Sequence, residues 1–519
     1  MNTVSPSNVT MGQNLNEVPG PRLGLRGVRR GLVMAGLHAL AWTGPYLARI
    51  GPLRRAVVGA TEQRLVGIYN RALTLAIRPP GVESDRLAMS KAILHTIERA
   101  LAENRLSRAT LRKALNILIG QVLIGQGDWS AKDRFNARYG SYPPDLLLIS
   151  PTKACNLRCV GCYADSGPTR EKLPWPVFER LVREAHDLWG ARFCVISGGE
   201  PLAYHDQGKG VLDIAERYPD IFFLMYTNGT LIDDKVARRL ATLGNLTPAI
   251  SVEGLREPTD ARRGEGVFER IIAAMERLRR EKVLFGISIT ATRQNADEVL
   301  SDAVVDFYFR QMGVFYAWIF HYMPIGRAFT LELMPTPQQR VRMWQRMWEL
   351  VRGQQLFIAD FWNSGTVSSG CISAGRSGGY LCVDWNGAVT PCVFAPYSPV
   401  NIHAAYQQGQ TLNDVWNNPF FREIRAWQHA YGYGRTAADG RPWGNWLMPC
   451  PIRDHYAEFH RLLVAHEPDP ADENARAAFQ DPAYYQGMVA FDQEMASLAD
   501  QIWEAKYVNG GESRVYDRR

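Results

Sequence analysis

The spacing of apolar positions divides the chain into three kinds of segment. From Glu83 to Gly127 the period is helical. Met89, Ile93, Ile97 and Leu101 recur every fourth residue, and Ser107 is placed to N-cap a second helix carrying Leu111, Leu115, Leu118 and Val122. From about residue 146 short apolar runs take over: Leu146–Ser150, Phe193–Ser197, Phe222–Thr227, Ala249–Val252, Leu284–Thr290 and Val314–His321. Helical stretches lie between them, such as the stripe of Phe178, Leu181, Val182, Ala185 and Leu188, and the segment Val267–Arg280. Six strands separated by helices predict a parallel sheet with right-handed crossovers. Polar and glycine-rich residues follow the runs at Gly198-Gly199-Glu200-Pro201, Thr227-Asn228-Gly229, Glu253-Gly254 and Arg293, where α/β folds place ligands. Taken one at a time, each of these reads equally well as a turn or a helix cap. Beyond them, Tyr380 to Cys392 reads strand, Asn386-Gly387 turn, strand, which is a hairpin. Thr411 is suited to cap a helix bearing Leu412, Val415, Phe420 and Ile424, and residues 453–506 are helical again.

This pattern predicts a tail at 1–20, a basic and apolar helical region at 21–127 and a linker at 128–144. An α/β unit follows at 145–330, then a hairpin-and-helix domain at 331–460 and C-terminal helices at 461–519. Charge sharpens the first part. The net charge of +7 belongs to one end, because residues 1–80 hold ten Arg against Glu17 and Glu62. Arg22, Arg26, Arg29 and Arg30 share one helical face, and the apolar stretch Leu32–Ala48 is broken by Gly36, His38, Gly44 and Pro45. It is marginal for a span, which needs about 20 apolar residues. Residues 22–50 instead suit an anionic membrane surface, with packing beneath the α/β unit as the alternative. The basic bias is confined to one end and does not spread over a folded body, so nucleic acid is not an expected partner. No secretory signal starts the chain. The eight cysteines are too few and too clustered for a disulfide scaffold, which predicts a reduced cytoplasmic setting, peripheral at the inner membrane face if the basic stretch binds there.

Cys155, Cys159 and Cys162 stand within eight residues directly after the first strand. Three thiolates at this spacing suit one corner of an iron–sulfur cluster better than zinc, which prefers paired knuckles and four protein ligands. The motif, followed by Gly-Gly-Glu at the second strand end, resembles the radical S-adenosylmethionine (SAM) superfamily over about residues 145–325. The resemblance implies a partial (β/α)6 barrel in which those cysteines hold a [4Fe-4S] cluster whose free iron binds SAM. It further implies that the backbone at Gly198, Gly199 and Glu200 receives the SAM amine, and that Asn228 lies at the third strand end. Ser251 and Glu253 would reach the ribose, and Arg293 the carboxylate. Gly161 stands where the family usually has an aromatic residue over adenine; Tyr163 or another segment would take that place.

Cys371, Cys392 and Cys450 form a second group around the hairpin, resembling the auxiliary-cluster domains called SPASM and twitch. The dense cysteine run of a full SPASM domain is missing, so at most one auxiliary [4Fe-4S] cluster is expected. Its fourth ligand is Cys382, Asp454, His455 or none, and structural zinc at these thiols is the alternative. Cys194 reads as a core thiol.

The activity implied is reductive cleavage of SAM to a 5′-deoxyadenosyl radical that abstracts hydrogen from an unidentified substrate. An external one-electron donor of the flavodoxin or ferredoxin type would drive it. The basic N-terminal stretch favours an apolar or lipid-like substrate. The auxiliary domain favours the alternative, a peptide or protein maturase. An iron–sulfur electron carrier or sensor is the non-enzymatic alternative. Met323 and Arg327, past the last strand, are expected at the substrate mouth.

Overall fold

A computed structural model of the chain describes residues 50–76, 78–114, 116–117, 129–433 and 443–510. Of the basic stretch 22–50 only Ile50 falls among these, and the 1–20 tail lies outside them. No helix among the described residues is long and apolar enough to cross a membrane.

The six expected strands form in chain order: β1 (Leu146–Ile149), β2 (Phe193–Ile196), β3 (Phe222–Thr227), β4 (Leu246–Val252), β5 (Gly286–Ala291) and β6 (Ala317–His321). Each pairs in parallel with the next. Strands from the later part of the chain extend both edges. β7 (Ile358–Asp360) lies parallel to β6, and β8 (Tyr380–Val383), the first arm of the hairpin, lies parallel to β1. β9 (Ala388–Thr390) returns antiparallel to β8. The hairpin is therefore part of the barrel sheet, with Leu146 opposite Tyr380 and Leu148 opposite Cys382. Apolar composition alone could not place β8 beside β1, because pairing across more than 200 residues leaves no local periodic trace.

Side chains alternate across this sheet. Leu147, Ile149 and Ile196 point to the outer face, where the helix Trp175–Trp189 covers them with the fully buried Phe178, Leu181, Val182 and Ala185. The alternate positions, among them Leu148, Val195, Tyr226, Trp318 and Phe320, face an internal cavity. That inner wall is largely aromatic.

The N-terminal helices hold one correction. The helix Pro80–Ala102 buries Val82, Met89, Ala92, Thr96 and Ala100. Residues spaced by four advance about 40° per step around a helix of 3.6 residues per turn. Ile97 and Leu101 have thus rotated off the buried face. Met89 and Ile93 reach the cavity itself, so this region contributes to the site rather than standing apart from it. Ser107 caps the short helix Arg108–Lys113, accepting from the Thr110 N–H at 3.1 Å; Leu115, Leu118 and Val122 lie outside the described residues. The stretch expected as a linker forms the helix Ser130–Tyr139, whose Phe135 packs edge-on against Trp416 at 4.7 Å.

Candidate active site

The cavity has a volume of about 480 Å³ and is lined by six of the eight cysteines: Cys155, Cys159 and Cys162 from the loop after β1, and Cys371, Cys392 and Cys450 from the later region. None of them is in a disulfide. Two groups separated by more than 200 residues of sequence open onto one space because β8 and β1 are neighbours.

The β1 loop is held from three sides. Gly199 donates its N–H to the Thr152 carbonyl at 2.8 Å and Glu200 to that of Ala154 at the same distance. A Cβ on Gly199 would stand 2.3 Å from the Ala154 oxygen, so the glycine is required by the packing of β2 on the loop. From the β6 side, Arg327 donates its backbone N–H to the Cys162 carbonyl at 3.0 Å, and its guanidinium binds Asp165 and the carbonyls of Cys159 and Ser166. Arg327 thus clamps the cysteine loop rather than bordering the substrate mouth. From the β4 side, Arg262 donates to the Gly161 carbonyl at 3.3 Å, and Arg263 approaches the Cys159 sulfur at 4.0 Å.

Glu253 and Arg293 differ from expectation. Glu253 is fully buried, does not line the cavity, and receives both Arg262 and Arg263 on one carboxylate oxygen. It positions two cations against the cysteine loop, and the sequence signal for this is the Arg pair nine and ten residues downstream. Arg293 is exposed and turns away from the cavity to bind the carbonyls of Met334 and Leu331. Glu200 likewise keeps its carboxylate out of the cavity; it accepts from the Thr227 hydroxyl and the Asn228 and Leu202 N–H groups, tying β2 to β3. Burial raises its pKa. Gly198, Gly199, Asn228 and Ser251 do line the cavity, with the Asn228 amide 3.7 Å from the Cys155 sulfur.

Tyr163 is not free to move over a ligand. Its hydroxyl shares a 2.7 Å hydrogen bond with Ser197 and accepts the Gly198 N–H, while its ring stands edge-on to Phe394 at 5.9 Å. Burial pushes its pKa up to about 12. The aromatic ring beside Gly161 is instead Tyr322, whose Cε2 lies 2.6 Å from where a Cβ on Gly161 would sit.

In the second group, Cys392 receives the Tyr380 hydroxyl contact at 2.9 Å and the Phe394 N–H at 3.4 Å, and Cys371 contacts the Ser373 hydroxyl at 3.2 Å. The Cys450 N–H donates to Asp454 at 3.0 Å. Cys382, deep in β8, does not line the cavity. Asp454 is engaged by Arg340 in a fully buried ion pair, and the His455 ring by the Met448 carbonyl at 2.9 Å. Asp454 and His455 are therefore already partnered, while Cys382, in register with the cavity-facing Leu148, lies on the inner side of the sheet behind the lining residues. Burial pushes the Cys155 thiol up to about 11, Cys392 to about 12, and Cys450 well above the usual thiol range. Unreactive buried thiols of this kind release their protons when a metal centre supplies compensating positive charge, so the donor set fits iron–sulfur ligation.

Comparison with known proteins agrees. Residues 149–303 match the radical SAM superfamily, and residues 371–436 match the iron–sulfur cluster-binding domain SPASM. The chain is 30% identical over 317 residues to mycofactocin maturase MftC of Mycobacterium ulcerans, covering 57% of this chain and 81% of that protein. It is 25% identical over 313 residues to the AdoMet-dependent heme synthase of Methanosarcina barkeri, covering 54% and 85%. Among solved structures, Streptococcus suis SuiB bound to precursor peptide SuiA aligns over 63% of this chain and 72% of that one, with 17% identity and a TM-score of 0.46. The chain belongs to the radical SAM superfamily and is an enzyme that uses SAM and a [4Fe-4S] cluster, with auxiliary iron–sulfur in its SPASM domain.

Proposed function

We propose that the chain is a peptide-modifying radical SAM maturase. The reading rests on the 30% identity that spans 81% of a maturase. The shared cavity supports it: about 480 Å³ beside Tyr226, Trp318, Phe320 and Phe361 admits an amino-acid side chain between the two cysteine groups. The expectation of a lipid-like substrate rested on residues 22–50, of which only Ile50 is described. The two readings separate in one experiment. Anaerobic incubation with SAM, dithionite and deuterated cell extract is expected to place deuterium in 5′-deoxyadenosine from the protease-sensitive aqueous fraction. Transfer from the chloroform phase alone would overturn the peptide reading.

Cys155, Cys159 and Cys162 hold the catalytic cluster, and Gly198, Gly199, Asn228 and Ser251 border the SAM. The bound cofactors supply one-electron cleavage of SAM and the radical that takes the hydrogen atom. Around them, Arg262 and Arg263 neutralise thiolate charge, and the aromatic walls exclude water and orient the substrate. Cys371, Cys392 and Cys450 hold the one auxiliary cluster the cysteine count allows. The working division is a helical region at 21–127, a catalytic barrel at 145–330 and an auxiliary domain at 331–460, with β7 and β8 of the last completing the barrel's sheet. Electrons come from a flavodoxin or ferredoxin type of donor. The arginine-rich stretch at 22–50 suits an anionic membrane surface, and flotation with anionic vesicles is then expected for the full chain and lost without residues 1–58.

Two substitutions test the ligand sets. Cys382→Ala is expected to leave auxiliary iron unchanged, and loss of that iron would make Cys382 the fourth ligand. Gly326→Ala places a Cβ 2.2 Å from the Tyr163 carbonyl at a φ of +71°, displacing the β1 loop. Iron analysis is expected to show loss of the catalytic cluster with the auxiliary one retained.

A further inference from the structure

Arg453 lies three residues after Cys450, in the short helix Pro451–Asp454, and is fully buried. Its Nε, Nη1 and Nη2 have no hydrogen-bond partner. Arg340, equally buried, shows what such a side chain normally requires: it binds Asp454, the Asn363 amide oxygen and the Leu447 carbonyl. None of the carboxylates around Arg453 hydrogen-bonds it. Asp454 serves Arg340 and the Cys450 N–H. Asp360 accepts from His321, from the Trp362 and Asn363 N–H groups and from the Asn363 amide. Asp492, on the helix Pro482–Ile502, accepts the Tyr456 N–H on Oδ2 and leaves its buried Oδ1 without a hydrogen-bond partner, and burial pushes its pKa up to about 8.

The guanidinium carbon sits 5.4 Å from the Trp362 ring centroid and 4.8 Å from that of Phe491. Trp362 itself lines the cavity beside Cys450. A buried guanidinium with no hydrogen-bond partner thus stands one aromatic ring away from a cavity lined by Cys371, Cys392 and Cys450. The guanidinium is unfavourable there alone, because isolated buried charge is costly. An iron–sulfur centre held by thiolates is anionic and gains a further negative charge on reduction, so it would supply the charge that Arg453 lacks.

We propose that Arg453 is the countercharge of the auxiliary cluster, holding its reduced form and setting its reduction potential. The inference rests on Cys371, Cys392 and Cys450 being that cluster's ligands. Reconstituted full-length enzyme, Arg453→Met, Arg453→Lys and Cys450→Ala are compared by iron analysis and EPR-monitored redox titration. The Met variant is expected to shift the auxiliary reduction equilibrium at least tenfold toward the oxidised form, about 59 mV for one electron. The Lys variant should stay close to the wild type, and the Cys155 cluster should not move in either. Failure of the Met variant alone to load auxiliary iron also supports the charge, because Lys supplies it. An unshifted potential in a loaded Met variant would overturn the inference, as would equal shifts at both clusters or loss of auxiliary iron from Met and Lys alike. Auxiliary iron retained in Cys450→Ala would instead overturn the ligand reading beneath it.

Discussion

Cys159→Ala is expected to reduce SAM cleavage to background in an anaerobic assay of 5′-deoxyadenosine, with loss of the catalytic cluster's iron. The physical reason lies in the cysteine loop. Cys159 shares its cavity wall with Cys155 and Cys162, and its carbonyl and sulfur are already engaged by Arg327 and Arg263. Cys194 cannot replace it, because it is buried in β2 on the outer side of the sheet. Arg263→Met supplies the graded comparison. It leaves every thiol in place but removes a buried cation held by Glu253 near Cys159. Outer partners of metal ligands typically contribute about 10–100-fold to affinity or activity. Cleavage by Arg263→Met should fall within that range while iron remains bound. Loss as complete as that of Cys159→Ala would make Arg263 essential to the fold of the loop rather than to its charge.

Arg340→Met is expected to be the most destabilising single change. Arg340 and Asp454 are both fully buried, and Arg340 joins the helix Pro337–Gly353 to the turn that carries Cys450. Removing one member of a buried pair leaves the other charge uncompensated, which costs about 3–5 kcal/mol. The denaturation midpoint should drop accordingly. Because Asp454 also anchors the Cys450 N–H, auxiliary iron should be lost before catalytic iron. Double replacement, Arg340→Met with Asp454→Leu, should recover much of the stability, since no orphan charge remains. It should not recover the auxiliary iron. Recovery of both would mean that Cys450 needs no anchor.

The legible parts of this chain were those with local physical signatures. Strand runs and the Cys155-to-Cys162 spacing are written in contiguous residues, and β1 to β6 form where the apolar runs and the polar residues after them place strands. Contacts made by the fold itself were not legible. Nothing near Tyr380 announces that β8 will lie beside β1, yet that pairing brings the two cysteine groups to one cavity. The polar strand ends are legible in the sequence, but the partners of their side chains are not. Glu253 looked like a ligand contact from its position and proved to be the buried partner of two arginines. Arg293 looked like a cation for the same ligand, and its side chain turned outward to a neighbouring loop. A sequence shows which residues stand at a strand end; which neighbours neutralise them is decided by packing.

Two cysteine groups open onto one cavity, and each is expected to hold its own iron–sulfur cluster. Iron, sulfide and zinc analysis of the anaerobically reconstituted full-length protein, with Mössbauer spectroscopy, tests it directly. Two four-iron clusters correspond to about eight iron per chain, with zinc absent. About four iron per chain together with one zinc would instead assign Cys371, Cys392 and Cys450 to a structural metal and leave the cavity with a single redox centre.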